Sequence, residues 1–251
     1  MTRPKLLDLF CCEGGAAVGY SRAGFDIVGV DLFKHKNDKG RTVGYSQGRY
    51  PFKSHQSDAI EFVKAHGHKF DVIHASPPCQ LYSITNAARR AEYPDLIGVT
   101  REAILVTGTD YVIENVEQAA PWLRDPILLC GRMFGLGALD DDNLPLVLDR
   151  HRLFESNVLL SAPAHLPHDE SLHVAGSYGG SRRQGTTPAE RRHHNARYVR
   201  KGGYVPSARV QQRLLGIDWM TSGGMHQSIP PAYTEWLGTQ LLAHIESERV
   251  A

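Results

Sequence analysis

Short apolar runs alternate with amphipathic stretches along the first two thirds of the chain, and the runs stop at glycine, proline or acidic residues. Residues 5–10, 26–31, 70–75 and 110–114 read as buried strands, because their apolar side chains are nearly continuous. Residues 16–23, 58–66 and 95–107 carry apolar positions at helical spacing. Strands alternating with helices predict an α/β protein with a doubly wound, mainly parallel sheet, whose ligands bind outside the carboxyl ends of the strands. The residues with chemical character gather at those ends: 10–15, Asp31, Asp58, 77–80 and 114–116. Helical spacing returns over 208–215 and 233–245, and Trp219, Trp236 and Leu237 are expected in the core.

The sharpest local signal is Cys79, in the run Ala75-Ser76-Pro77-Pro78-Cys79-Gln80-Leu81-Tyr82-Ser83. Each proline fixes its own φ, removes a backbone donor and pushes the preceding residue toward extended geometry. The chain therefore leaves the strand as a stiff turn that presents Cys79 at a rim. A thiol so placed is a candidate nucleophile, whereas a cysteine inside an apolar run would be a core residue.

Composition narrows the class. A chain of 251 residues with 41% hydrophobic content supports one large domain, or one domain with a small appendage. No charged and apolar leader opens it and no apolar run approaches ~20 residues, so a soluble, cytoplasmic protein without membrane contact is expected. Cys11, Cys12, Cys79 and Cys130 show neither metal-ligand spacing nor disulfide-scaffold density, which suits a reducing compartment. His165, His168 and His173 lie close together but at no spacing typical of a metal site; they read as polar surface residues, and no metal is expected. The net charge of +1 hides an uneven distribution: residues 182–213 hold nine Arg or Lys against one acid, Glu190. That is the footprint of a polyanion partner, or alternatively of a solvated basic loop.

The first strand ends in Asp8-Leu9-Phe10-Cys11-Cys12-Glu13-Gly14-Gly15. Gly14 and Gly15 let the backbone turn sharply and approach a ligand, and the following helix offers unpaired amides. The three-glycine dinucleotide fingerprint is incomplete, which argues against a nicotinamide cofactor. Asp31 stands where an acid grips ribose hydroxyls, and Asp58 could accept from an adenine amino group. A nucleoside-containing cofactor without a pyrophosphate is the economical reading.

These segments, together with Glu114-Asn115-Val116 and Arg150-His151-Arg152, stand in the order found in C5-cytosine DNA methyltransferases. The chain resembles that family over most of residues 5–156 and again near the C-terminus. The resemblance implies a Rossmann-like class I methyltransferase fold with S-adenosylmethionine as donor. It implies that Cys79 is a thiolate that adds to cytosine C6, that Glu114 places a proton on N3, and that Arg152 with Arg150 contacts the base carbonyl. Phe10, Gly14, Gly15, Asp31, Asp58, Pro77, Gln227 and Ser228 would hold the donor. The cytosine would be flipped out of duplex DNA, with residues 81–94 closing over it and Gln80, Ser83, Arg89 and Arg90 in contact with the nucleic acid.

Two departures from the family pattern matter. Cys12 replaces the usual glycine two residues after Phe10, and His226-Gln227 replaces Gly-Asn in the closing motif that ends in Pro230-Pro231. The recognition region is also short. The expected organisation is a catalytic and cofactor-binding domain over 1–156, a small, irregular, basic recognition lobe over 157–207, and a C-terminal segment over 208–251 that completes the catalytic domain. Within the lobe Arg182, Arg183, Arg191, Arg192, Arg197 and Arg200 would grip phosphates and read few bases, in a chain expected to act as a monomer. An RNA-directed enzyme of the tRNA-acting kind and a non-catalytic nucleic-acid-binding protein of the same fold are the alternatives.

Overall fold

The computed structural model describes residues 2–36, 42–79, 81–82, 95–169, 171–176 and 205–250. Its centre is a seven-stranded sheet of β1 (Lys5–Leu9), β2 (Asp26–Asp31), β5 (Lys53–Gln56), β6 (Val72–Ala75), β7 (Asp110–Asn115), β8 (Ile127–Leu129) and β11 (Arg152–Ser156), in the order β5-β2-β1-β6-β7-β11-β8. The first five of these run parallel, while β11 is antiparallel to both of its neighbours. The chain crosses from β1 to β2 on one side and returns to β6 on the other. That reversal of strand order is where an open α/β sheet splays into a ligand crevice.

Both faces of the sheet are covered, which is why Leu6, Leu7 and Leu9 of β1 are all fully buried. Leu6 faces a core that includes Tyr20 of α1 (Gly15–Ala23), Phe25 just after it, and Tyr233 and Leu237 of the C-terminal helix Pro231–Val250. Leu7 and Leu9 face the opposite core, with Val63 of α2 (Ala59–His66) and Ile97 and Ile104 of α3 (Leu96–Leu105). Gly19 lets α1 and the C-terminal helix meet closely, since a Cβ there would collide with the Thr234 side chain and the Pro231 carbonyl. Thr234 Oγ1 reinforces that contact by donating to Ala16 O at 2.8 Å.

A second, smaller core joins β9 (Gly137–Leu139), β10 (Pro145–Val147) and β12 (His173–Val174) to α4 (Ala208–Leu215) and α5 (Ser222–Gln227), through Leu146, Ala175, Leu214 and Met225 among others. This lobe draws on both sides of the expected 157–207 segment. The segment's own start belongs elsewhere: Val158 and Leu160 are buried in the main core, and Ser161 N donates to Gln240 Oε1 at 2.8 Å. A two-stranded ribbon, β3 (His35–Lys36) and β4 (Thr42–Val43), completes the described strands.

The sequence reading placed β1, β2, β6 and β7 but gave no range for β5, β8 or β11, and the elements it did place differ at a few edges. The strand expected from residue 70 begins at Val72, because a 3-10 turn over Gly67–Lys69 precedes it and Asp71 locks the sheet edge by accepting from Lys5 N at 2.7 Å. The C-terminal helix is longer than expected, as Pro231–Val250. Trp219 packs against the small core, but Trp236 is 39% exposed; its Nε1 donates to Ser161 O at 2.7 Å on the outer face.

Candidate active site

A cavity of about 700 Å³ opens at the carboxyl ends of β1, β6 and β7, a size within the range of about 300–1,000 Å³ typical of small-molecule sites. Its floor is the turn after β1. Phe10 and Cys12 both take positive φ, 58° and 48°, and Gly14 follows at 86° as the N-cap of α1. Such geometry in non-glycine residues costs energy and persists only where the surroundings hold it. Asp31 does so from β2: its Oδ2 accepts from Cys12 N at 2.9 Å and its Oδ1 from Phe33 N at 3.1 Å. Glu13 holds the other side, since its carboxylate accepts from Thr221 N at 2.7 Å and Thr221 Oγ1 at 2.9 Å, while its carbonyl accepts from Trp219 Nε1 at 2.7 Å.

One part of the cleft wall is a buried acid. Asp8 lies within β1, fully enclosed, and burial pushes its carboxyl up to about 7 even though Tyr50 OH donates to it at 3.0 Å. Burial, with Asp31 and Asp8 nearby, pushes the Cys12 thiol well above its ordinary range.

Cys79, Glu114 and Arg152 meet at the opposite wall. Asn115 Nδ2 donates to Pro77 O at 2.9 Å and fixes the double-proline turn that carries Cys79. Arg152 Nε lies 3.0 Å from Glu114 Oε1, with both side chains buried. Burial raises the Glu114 carboxyl above its ordinary value; Arg152, the Ser76 hydroxyl and Arg150 pull against it. Burial first and Glu114 second also raise the Cys79 thiol, opposed by Arg152 and Arg150. Burial thus favours the thiol form of Cys79 at rest, so the sulfur must lose its proton before it attacks.

Behind Glu114 runs a hydrogen-bonded chain that the sequence did not announce. Tyr20 OH lies 3.1 Å from His74 Nδ1, and His74 Nε2 lies 2.9 Å from Ser76 Oγ. With the Ser76 hydroxyl donating to Glu114, the network assigns the Nε2–H tautomer to His74, and burial lowers this ring to about 3, so it is neutral. His74 thus fixes the direction of the hydroxyl that faces Glu114.

The expected site residues divide clearly. Phe10, Gly15, Pro77, Cys79, Glu114, Arg150, Arg152, Gln227 and Ser228 all line the cleft. Asp31 and Asp58 do not, and both are engaged locally: Asp31 braces the turn, and Asp58 Oδ1 caps α2 by accepting from Ile60 N at 2.9 Å and Glu61 N at 3.0 Å. Gly14 stands behind the lining, where a Cβ would meet Pro51 Cδ at 2.8 Å. Arg150 departs from its expected pairing with Arg152. Its Nε donates to Ser228 O at 2.9 Å and its Nη2 to His226 O at 2.9 Å, so it clamps the closing motif onto the cleft. Gln80, Ser83, Arg89, Arg90, Arg182, Arg183, Arg191, Arg192, Arg197 and Arg200 lie outside the described residues. His165 and His168, expected as separate surface side chains, converge with His151 and Cys130 beside the cleft.

The lining suits a ligand with a flat apolar part and a polar tail: Phe10, Val116 and Ile229 offer apolar surface, and the amino end of α1 faces the same space through Gly15 and Ala16. Residues 4–118 match the family model described as C-5 cytosine-specific DNA methylase. A candidate type II methyltransferase of Oceanobacillus iheyensis is 24% identical over 274 residues, covering 92% of this chain and 55% of the relative, so the chain spans about half the length of the curated relative it matches. A candidate DNA modification methyltransferase encoded within an E. coli prophage aligns over 97% of this chain and 99% of its own, at 14% identity and a TM-score of 0.54. The S. pombe Dnmt2 methyltransferase aligns over 97% of this chain and 99% of its own, at 12% identity and a TM-score of 0.58. At these identities the likeness establishes the fold, a class I methyltransferase fold.

Proposed function

We propose, for a chain whose residues 4–118 match the C-5 cytosine-specific DNA methylase family model, methyl transfer to C5 of a cytosine flipped out of DNA. The observation that carries the reading is the convergence of Cys79, Glu114 and Arg152 on one cleft that also contains the turn after β1. S-adenosylmethionine, held by Phe10, Gly15, Pro77, Gln227 and Ser228, supplies an electrophilic methyl when bound. Asp31 serves that site indirectly by bracing Cys12, and Arg150 by clamping the carbonyls of His226 and Ser228.

The chemistry of the opposite wall follows from its environment. Cytosine C5 is a poor nucleophile until C6 is saturated, so Cys79 loses its proton to solvent and its sulfur bonds to C6. Negative charge then builds on the ring, and Glu114, whose carboxyl burial raises above its ordinary value, places a proton on N3 as this happens. Arg152 holds Glu114 and offsets the developing charge. Loss of the C5 proton after methylation lets the C6–S bond break, the electron pair returns to sulfur, and Glu114 recovers the N3 proton.

The organisation proposed from the sequence, with a catalytic unit over 1–156, a basic recognition segment over 157–207 and a completing segment over 208–251, assigns phosphate contact to the arginines of 182–200. The short recognition segment also favours a second reading, a tRNA-directed cytosine methyltransferase. Incubating the full chain with methyl-tritiated S-adenosylmethionine and either duplex DNA or tRNA, then digesting to nucleosides, tests both. Label in 5-methyldeoxycytidine supports the proposal, label only in 5-methylcytidine supports the second reading, and label in neither overturns both.

A further inference from the structure

Beside the cleft, four side chains that no local motif connects point at one another. Cys130 directly follows β8 and His151 directly precedes β11. The antiparallel register that pairs Arg152 with Leu129 brings these two positions opposite each other at the sheet edge. His165 and His168 come from the excursion after β11, and one ligand-capable atom from each of the four residues lies within 4.8 Å of all the others. His168 Nε2 is 3.4 Å from Cys130 Sγ and 2.9 Å from His165 Nε2. A tetrahedral zinc ion, with Zn–N of about 2.0–2.1 Å and Zn–S of about 2.3 Å, would separate its ligand atoms by about 3.3 Å for two nitrogens and about 3.6 Å for nitrogen and sulfur. These two separations lie within about half an ångström of those values, and the remaining ones are within 4.8 Å.

The surroundings carry the second half of the argument. His168 Nδ1 lies 3.2 Å from Asp149 Oδ2, and His151 Nδ1 lies 3.2 Å from Glu117 Oε2. Asp149 is itself held by Arg132 Nε at 2.5 Å from its other oxygen. A carboxylate on Nδ1 fixes the proton there and turns a bare Nε2 lone pair to the other side, which is the usual outer-sphere arrangement of metal-binding histidines. His151 Nε2 is in fact buried with no hydrogen-bond partner among the described residues. A buried polar atom in that condition is costly unless something coordinates it. Nothing about methyl transfer requires it.

We propose that Cys130, His151, His165 and His168 bind one zinc ion as a closed, tetrahedral structural site. One sulfur and three imidazole nitrogens suit zinc over calcium or magnesium, which prefer oxygen, and four protein ligands leave no open position for a catalytic water. Binding takes the thiol proton from Cys130 and releases it to solvent, so the ion and its ligands together carry a single positive charge beside Asp149 and Glu117. The ion would tie the excursion after β11 to the ends of β8 and β11, and it would anchor His151 between Arg150 and Arg152. The proposal stands on the ligand set alone, independent of which polymer is methylated.

The test is the metal content of the untagged full chain after gel filtration, read by elemental analysis. One zinc per chain is expected, with at least a tenfold loss in Cys130→Ser and in His165→Asn and no loss in His244→Gln, which alters a separate surface cluster of Asp110, His244 and Glu248. His165 is exposed, so its replacement leaves the core intact, and circular dichroism checks the fold of each variant. Adding Co²⁺ to the metal-stripped chain should give intense tetrahedral visible bands and a thiolate charge-transfer band, the latter lost in Cys130→Ser. A folded chain that purifies without zinc and gives no such cobalt spectrum would overturn the proposal. So would a zinc content unchanged by both ligand variants.

Discussion

Replacing Asp8 by Asn should abolish the pH dependence of stability that this one carboxyl imposes. Asp8 is enclosed in β1 between β2 and β6, and burial raises it from 3.8 to about 7. The folded chain therefore holds the proton more tightly than the unfolded chain does. That contribution is fully present below about pH 4 and is lost as pH rises through about 7, because folding must then accommodate a buried carboxylate. A difference of roughly 3 pH units at about 1.36 kcal/mol each amounts to about 4 kcal/mol between pH 4 and pH 8. The Asn side chain keeps an oxygen for Tyr50 OH but never ionises, so Asp8→Asn should gain about 4 kcal/mol on the wild type across that interval. Urea unfolding at a series of pH values reads this directly, as a relative midpoint shift on the order of 1 M at unchanged slope. Parallel pH profiles for the two proteins would refute the reasoning.

Three other outcomes follow from the same geometry. His74 is lowered to about 3 by burial, so its contribution is present above about pH 6.5 and is lost as pH falls toward 3; His74→Gln should flatten the acid limb of the stability profile by up to roughly 5 kcal/mol, measured by urea unfolding. Arg150→Met removes two charge-assisted hydrogen bonds to the closing motif and should weaken S-adenosylmethionine binding at least tenfold by calorimetry, with a smaller effect on kcat. Glu114→Gln keeps an acceptor for Arg152 but has no acidic proton, and should lower kcat about 10²- to 10⁴-fold while the chain stays folded.

How far the sequence could be read depended on whether a feature was local. The alternation of apolar runs and helical patterns defined the sheet and its strand ends, and Cys79, Glu114 and Arg152 were legible because each stands in a short segment beside a strand terminus. Asp31 and Asp58 were legible as acids at strand ends but not in their use, since bracing a turn or capping a helix depends on distances of a few ångströms. Arg150 was found, but its hold on the closing motif was not, because the carbonyls it binds lie 76 and 78 residues away. Glu13, which ties the turn to Thr221, and the chain from Tyr20 through His74 to Ser76 gave no signal beyond a buried polar residue in an apolar run. The cluster of Cys130, His151, His165 and His168 escaped for the same reason: antiparallel register and a long excursion assemble it.

The measurement that bears most directly on the central claim uses 5-fluorocytosine, whose C5 substituent cannot leave. Full-length protein incubated with S-adenosylmethionine and duplex DNA containing that base should form a denaturation-resistant protein–DNA adduct, absent from Cys79→Ser and absent when the donor is withheld. An adduct that persists in Cys79→Ser, or none from a folded wild-type protein on either DNA or tRNA carrying the base, would contradict covalent catalysis by Cys79.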